Sequence, residues 1–256
     1  MRRMFTQIVG AIAAMTAFAG PACAMKPELV NAPAPISRDA EMNAYILLDR
    51  TGSMSSIWDE ALNSVNVYAA SLGTQEEDEI GDVDASVTLA VFDAQDGLKY
   101  DVLRERASAK DWKKVTNDEA SPRGMTPLFD AIGRIVSTAE SDKPEKAVIV
   151  VMTDGHENSS RELTKEGAKA ALDRARERGW EVVFLGAEFA NFSDAEGVGN
   201  AQQKNMAVSA GSLGVTMDRL AKKSRSYAKG EEAEIIFDDE DRAAAQEDDV
   251  KERKGQ

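Results

Sequence analysis

The sequence contains almost no cysteine or histidine. Its 256 residues include one of each, Cys23 and His156. A disulfide framework needs paired cysteines, and zinc sites in proteins are built from several Cys and His ligands. The composition therefore excludes both a disulfide-stabilised fold and a Cys/His zinc site.

Basic residues are also fewer than acidic residues. The chain carries 31 Lys and Arg against 45 Asp and Glu, which gives a formal net charge of -14. An acidic surface repels phosphates, and this argues against nucleic acid or an anionic membrane as the partner. The same charge is compatible with metal binding and with basic protein partners.

Long apolar runs are few, and the first lies near the N-terminus. Two arginines precede an apolar stretch at 8–19, which is short for a transmembrane span, and Ala22-Cys23-Ala24 follows. This pattern predicts a signal peptide over 1–24, a secreted or periplasmic protein and no stable membrane insertion after cleavage. Acylation of the cysteine is an alternative. Translation from Met25 or Met42 is another, and a start at Met42 would give a cytoplasmic protein.

Composition divides the remainder of the chain into three parts. Residues 25–41 are rich in Pro and Ala without periodicity, which predicts a linker. Residues 42–237 carry the apolar periodicities of a folded domain. Residues 238–256 are charged and alanine-rich without an apolar face, which predicts an acidic, disordered tail.

Strands and helices alternate through the predicted domain. The first strand, Met42 to Asp49, contains the apolar run Tyr45 to Leu48, as expected for a strand buried on both faces. Further strands are predicted at 85–92, 98–103, 147–152, 180–185 and 206–208. A hairpin turn at 93–97 makes one of them antiparallel. This alternation predicts an α/β fold with a doubly wound, mostly parallel sheet and one antiparallel edge strand.

Local capping signals predict where several helices begin. Thr126 precedes a proline, the favoured arrangement of N-cap and first helical residue. Two segments fit a capping box, in which a hydroxyl residue is followed three positions later by an acid. They are Ser56–Asp59 and Ser159–Glu162.

Oxygen-bearing side chains cluster where two of the predicted strands end. Asp49, Thr51 and Ser53 follow the first strand, and Asp154 follows the strand at 147–152. If these strands are neighbours at the switch point of the sheet, the side chains converge there with Thr126. Such hard oxygens suit Mg²⁺, or Mn²⁺ or Ca²⁺. Only two are charged, so the ion would remain electrophilic and could accept an Asp or Glu carboxylate from a protein partner.

Three segments resemble the motifs of von Willebrand factor type A (vWA) domains. Asp49–Ser55 resembles the D-x-S-x-S motif, Gly124–Leu128 the threonine segment and Met152–Gly155 the later aspartate segment. The resemblance implies a Rossmann-like sheet with helices on both faces. It also implies a metal-ion-dependent adhesion site with Mg²⁺ or Mn²⁺, and binding without turnover. Thr51 departs from the motif, where serine is commoner. Thr153–Ser159 is further similar to bacterial and phage stand-alone members.

A second resemblance points to an enzyme. Asp49–Ser53 is similar to the D-K-T-G-T motif of haloacid-dehalogenase-like phosphotransferases, in which the aspartate is a nucleophile that forms an aspartyl phosphate. Here Glu157 or Lys165 would have to supply the remaining groups, and Gly124–Pro127 would be unexplained. A third alternative is a subunit of an envelope assembly that uses the acidic tail.

Overall fold

The computed structural model describes residues 40–74, 82–189 and 191–254. Its strands are β1 Ala40–Asp49, β2 Val83–Ala94, β3 Leu98–Ser108, β4 Ala147–Thr153, β5 Glu181–Ala187 and β6 Asn205–Val208. Its α-helices are α1 Trp58–Gly73, α2 Leu128–Asp142, α3 Lys165–Glu177, α4 Ser193–Gly197, α5 Leu213–Lys229, α6 Asp239–Ala244 and α7 Glu247–Lys254. The expected signal peptide and the expected linker up to residue 39 lie outside the described residues. The last two residues of that linker, 40 and 41, instead begin β1.

The strands form one sheet in the order β3-β2-β1-β4-β5-β6. All neighbours are parallel except β3, which runs antiparallel to β2 at the edge. This arrangement confirms the predicted fold class. The chain winds outward from β1 to β2 and β3 and then crosses to β4, so the switch point lies between the carboxyl ends of β1 and β4.

Two apolar cores cover the two faces of the sheet. Ile46 and Leu48 of β1 pack into the core beneath α1 and α5, whereas Tyr45 and Leu47 pack into the core beneath α2 and α3. Successive side chains of a strand alternate between faces. Because both faces are covered, β1 is apolar without alternation, as the sequence predicts.

The C-terminal segment is folded, so the prediction of a disordered tail from residue 238 is wrong for the part that the structure describes. Asp238 caps α6 in a reciprocal capping box with Asp241. Ala245 and Val250 are fully buried against the domain, and Glu247 is nearly so. The segment has too few apolar residues for a periodic pattern, because carboxylates paired with basic side chains anchor it instead.

The local capping signals misplace two helix starts. A 3-10 helix occupies 52–56, and α1 begins after it at Trp58 without a side-chain cap. α3 begins at Lys165 with Thr164 as its N-cap, so the box at Ser159–Glu162 lies in the preceding loop. In the described ranges, no helix has the length and apolarity needed to span a membrane.

Candidate functional site

Asp49 is the innermost side chain at the switch point. It is the last residue of β1, and its side chain is fully buried. Asp49 Oδ1 accepts a hydrogen bond from the Thr51 backbone N–H at 2.7 Å, and Oδ2 accepts one from the Thr153 hydroxyl at 2.7 Å. The carboxylate is therefore fixed by its own motif and by the end of β4.

Hydrogen bonds continue from the motif outward to Asp154. The Thr51 and Ser53 hydroxyl oxygens lie 3.1 Å apart, and Ser53 Oγ donates to Asp154 Oδ1 at 2.7 Å. Thr51 is buried, Asp154 is half-buried and Ser53 is exposed. Four of the five side chains selected from the sequence thus form one connected group that runs from the interior to the surface.

Thr126, the fifth side chain, lies in the loop that precedes α2. It is buried, and its hydroxyl faces the loop after β4, because a β-carbon built on Gly155 would lie 3.9 Å from Thr126 Oγ1. The predicted N-cap role is wrong. Pro127 is the N-cap residue of α2, and the helix has no side-chain cap from that position. The hydroxyl of Thr126 therefore faces a neighbouring loop rather than its own helix.

The loop after β4 supplies the hydrogen bonds that a local cap would have made. Glu157 Oε2 accepts from the Phe129 N–H, and Ser160 Oγ accepts from the Asp130 N–H. In return, the buried Asp130 carboxylate accepts from the backbone N–H groups of residues 161–163 at 2.7–2.9 Å. These hydrogen bonds, together called the clamp, fix the loop that carries Thr126 (the threonine loop) against the loop after β4.

Asn158 completes the clamp beside Thr126. The side-chain oxygen of Asn158 accepts a hydrogen bond from the Thr126 backbone N–H at 2.9 Å, and the backbone N–H of Asn158 donates to the Thr126 carbonyl at 3.0 Å. Asn158 lies in the segment Thr153–Ser159 noted in the sequence, but its pairing with Thr126, 32 residues away, has no local signature.

Burial sets the electrostatics of the site. It raises the pKa of the Asp49 carboxyl to about 7; the hydrogen bonds from Thr153 and Thr51 oppose this increase, and the Asp154 charge adds to it. A buried carboxylate without a counter-charge is costly, and a cation beside it favours the ionised form. The electrostatics therefore fit a divalent cation next to Asp49.

The donor set also fits a hard cation. It comprises two carboxylates and three hydroxyls, all oxygen, as Mg²⁺ and Ca²⁺ require. Within the described ranges, no three His, Cys, Asp or Glu side chains are grouped so as to hold a metal. Any ion at the switch point would accordingly depend on the hydroxyls of Thr51, Ser53 and Thr126 as much as on the carboxylates.

The single histidine lies on the rim of the site. His156 Nδ1 is 3.2 Å from Asp194 Oδ2, and its ring stacks edge-on against Phe189 with centroids 4.8 Å apart. These contacts join the loop after β4 to the loop after β5 and to α4. They give His156 a packing role on this surface.

Glu157 and Lys165, the two residues that the phosphotransferase resemblance would require, have other surroundings. The Glu157 carboxylate is occupied by the N–H groups of Phe129, Ser159 and Ser160. Lys165 Nζ lies against α4, where it would be 3.0 Å from a β-carbon built on Gly197. Glu157 therefore holds the N-terminus of α2, and Lys165 lies beside α4.

The architecture and the loops together define a doubly wound α/β domain with an oxygen-lined site at its switch point. The chain belongs to the von Willebrand factor type A domain family, whose model matches residues 43–218. No curated protein sequence matches the chain.

Solved structures with the same fold include proteins of bacterial pili and of the mussel byssus. Proximal thread matrix protein 1 from the mussel byssus is 16% identical with a TM-score of 0.52, over 73% of this chain and 47% of that one. The pilus adhesin SpaC from Lactobacillus rhamnosus GG, in its open conformation, is 12% identical with a TM-score of 0.57, over 72% of this chain and 30% of that one. The minor pilin PilB from Streptococcus sanguinis is 13% identical with a TM-score of 0.51, over 75% and 63%. This chain thus spans less than two thirds of each of these proteins, and the likeness concerns the fold.

Proposed function

We propose that this protein is a metal-dependent binding module whose divalent cation is held at the switch point of the sheet. Mg²⁺ is the ion that we expect, with Mn²⁺ and Ca²⁺ as alternatives. The proposed ligands, some acting through water, are Asp49, Thr51, Ser53, Thr126 and Asp154. The observation that carries the proposal is the fully buried Asp49 carboxylate, which is connected through Thr51 and Ser53 to Asp154.

The charge of the ligand set indicates what the module would bind. Two carboxylates balance a divalent ion without over-neutralising it, and when bound the ion supplies an electrophilic position at the surface beside Ser53. An Asp or Glu carboxylate on a protein partner matches that position. Met125, a residue that is 53% exposed, lies next to Thr126 and offers the partner an apolar contact.

We also propose that the module binds without turnover, and the geometry of Asp49 supports this. Asp49 is enclosed and both its oxygens accept hydrogen bonds, which leaves it poorly placed to attack a phosphate. We further propose that the protein acts outside the cytoplasm, in the periplasm or secreted. The predicted signal peptide supports this location, and a pilus adhesin and a minor pilin share the fold.

Isothermal titration calorimetry tests the metal site. Wild-type protein should bind Mg²⁺ or Mn²⁺ saturably, and Asp49→Ala should abolish the binding because it removes the innermost charged ligand. The control is Asp111→Ala, an exposed acid in the turn after β3. Unchanged affinity in Asp49→Ala would eliminate the proposed site.

Affinity capture tests the partner. Immobilised protein is exposed to an extract of surface proteins with Mg²⁺ or with EDTA, and Asp49→Ala serves as the matched bait. A partner of the proposed kind elutes with EDTA and is absent from the variant. Partners retained equally in all three conditions would contradict a metal-mediated contact.

A phosphatase assay separates the enzyme alternative. A binding module leaves p-nitrophenyl phosphate unchanged in the presence of Mg²⁺. Turnover that disappears in Asp49→Asn would favour an aspartyl-phosphate mechanism instead.

A further inference from the structure

Arg50 lies in sequence between the proposed metal ligands Asp49 and Thr51, but its side chain forms a buried ion pair instead. Arg50 Nε donates to Asp93 Oδ2 at 2.6 Å, and Nη2 donates to Asp101 Oδ2 at 2.5 Å. Arg50 is 3% exposed and Asp93 is fully buried. The guanidinium is a planar fork with fixed donor directions, so it joins the ends of β1 and β2 to β3 in one geometry.

The same aspartate also holds the loop that carries Thr126. Arg123 Nε donates to Asp93 Oδ2 at 3.1 Å, and the Arg123 N–H donates to the Arg50 carbonyl at 2.8 Å. Ala94, next to Asp93, exchanges both backbone hydrogen bonds with Met125. The residue immediately before Thr126 is therefore fastened to the end of β2.

Gly124 allows this loop to approach Asp93 closely. Its φ of +73° favours glycine, and a β-carbon built there would lie 2.5 Å from the Ala94 carbonyl oxygen and 3.0 Å from Asp93 Oδ1. Asp93 Oδ1 is itself buried and accepts no hydrogen bond from the described residues. The Asp93 carboxylate thus faces the backbone of the threonine loop on one side and two arginines on the other.

We propose that the ion pairs of Asp93 with Arg50 and Arg123 position the metal site: they set the distance between the Asp49 motif and the Thr126 loop without touching the ion. This inference rests on the proposed function. Arg50 and Arg123 balance Asp93 and Asp101, so the cluster is neutral and offers no place for a cation of its own. Its effect reaches the site through the backbone of residues 50 and 123–126.

Outer groups that orient metal ligands characteristically change metal affinity by about 10–100-fold when they are removed. We therefore expect Asp93→Asn to weaken Mg²⁺ binding by about 10–100-fold in calorimetry. Asparagine keeps the shape but loses the charge that holds both arginines. Arg50→Lys should weaken Mg²⁺ binding as well, because the single ammonium group of lysine cannot donate to both Asp93 and Asp101 as the guanidinium does.

Leu72→Ala is the control for a loss of general stability. Leu72 is fully buried near the C-terminal end of α1, the end opposite to the metal-site loops, and its truncation leaves a cavity that destabilises the fold. Weaker binding in Asp93→Asn, with wild-type affinity in Leu72→Ala, supports positioning. Equal weakening in both variants, or affinity within twofold of wild type in Asp93→Asn, overturns it.

A further variant keeps the test decisive if Asp93→Asn does not fold. Arg123→Gln removes the second contact to Asp93 from a side chain that is 42% exposed, so the fold tolerates it. Weaker Mg²⁺ binding in this variant supports the inference, and unchanged affinity overturns it. Absence of Mg²⁺ binding by the wild type would instead refute the proposed function, which separates the two failures.

Discussion

At the scale of single residues, the site depends on hydroxyl oxygens placed around one buried carboxylate. Thr51 is the residue that departs from the usual motif of the family, where serine is commoner. Its hydroxyl lies 3.1 Å from that of Ser53, and the residue is buried, so its methyl group is accommodated inside the protein. The proposed metal site requires the hydroxyl oxygen at this position rather than a particular residue.

Two substitutions at Thr51 separate these contributions. Thr51→Ser keeps the oxygen and should retain Mg²⁺ affinity within about threefold. Thr51→Val keeps the shape and removes the oxygen, so affinity should fall by about tenfold or more. Calorimetry measures both. Equal affinities in the two variants would show that the Thr51 hydroxyl does not contribute to the site.

At the scale of elements, loops that are distant in sequence cap one another. The N-terminus of α2 receives its hydrogen bonds from Glu157 and Ser160, and Asp130 of α2 closes the loop at 161–163. Groups left without partners in a buried site cost more than the hydrogen bonds contribute when present. We therefore expect the clamp to stabilise the fold as well as to position the two loops.

Asp130→Ala tests the clamp. Loss of this buried acceptor removes three hydrogen bonds from backbone N–H groups, and we expect the free energy of unfolding to fall by about 2–4 kcal/mol. Urea unfolding measures it. The control is Glu166→Gln, which changes an exposed acid in the first turn of α3. Wild-type stability in Asp130→Ala would mean that the loop is held by other contacts.

The C-terminal helices are joined to the sheet by a second buried acid. Glu247 accepts from the Ala207 N–H of edge strand β6 at 3.0 Å, and from Arg242 and Lys251. Burial by itself raises the pKa of Glu247, but the hydrogen bonds from Lys251, Arg242 and the Ala207 N–H together hold it below its usual value. The segment thereby covers an edge that would otherwise expose unpaired backbone groups.

This pKa shift has a defined pH dependence. A carboxyl whose pKa is lowered in the fold stabilises it above the unfolded value of 4.5, and the contribution is lost as pH falls below that value through the folded pKa. Glu247→Gln should therefore be less stable than wild type at pH 7 by about 2 kcal/mol, with a difference that shrinks below pH 4.5. Urea unfolding across pH measures this. The exposed Glu252→Gln is the control, and a difference independent of pH would contradict the assignment.

At the scale of the whole molecule, the doubly wound topology determines where the site lies. β1 and β4 become neighbours only because the chain reverses direction after β3. Sequence patterns suffice to predict this, since buried strands, a hairpin and intervening helices have strong local signatures. The same patterns select Asp49, Thr51, Ser53, Thr126 and Asp154, because each lies at an end of a strand or helix.

The features that the sequence does not predict are tertiary contacts between residues that are distant in the chain. The local cap predicted at Thr126 is replaced by Glu157 and Ser160 from the loop after β4, which accept hydrogen bonds from the first turn of α2. The folding of the C-terminal segment escapes prediction because polar contacts anchor it rather than an apolar face: Asp241 pairs with Arg219 of α5, and Glu247 accepts a hydrogen bond from the Ala207 N–H. The ion pair of Arg50 with Asp93 joins residues that are 43 positions apart, a separation at which periodicity carries no information.

Anomalous diffraction from crystals grown with Mn²⁺ is the most direct measurement. We predict a single strong anomalous peak at the switch point, within coordination distance of Ser53 and Thr126 and beside Asp49, that is absent from Asp49→Ala crystals. A wild-type map without a peak there, at saturating Mn²⁺, would contradict a cation site built from these loops.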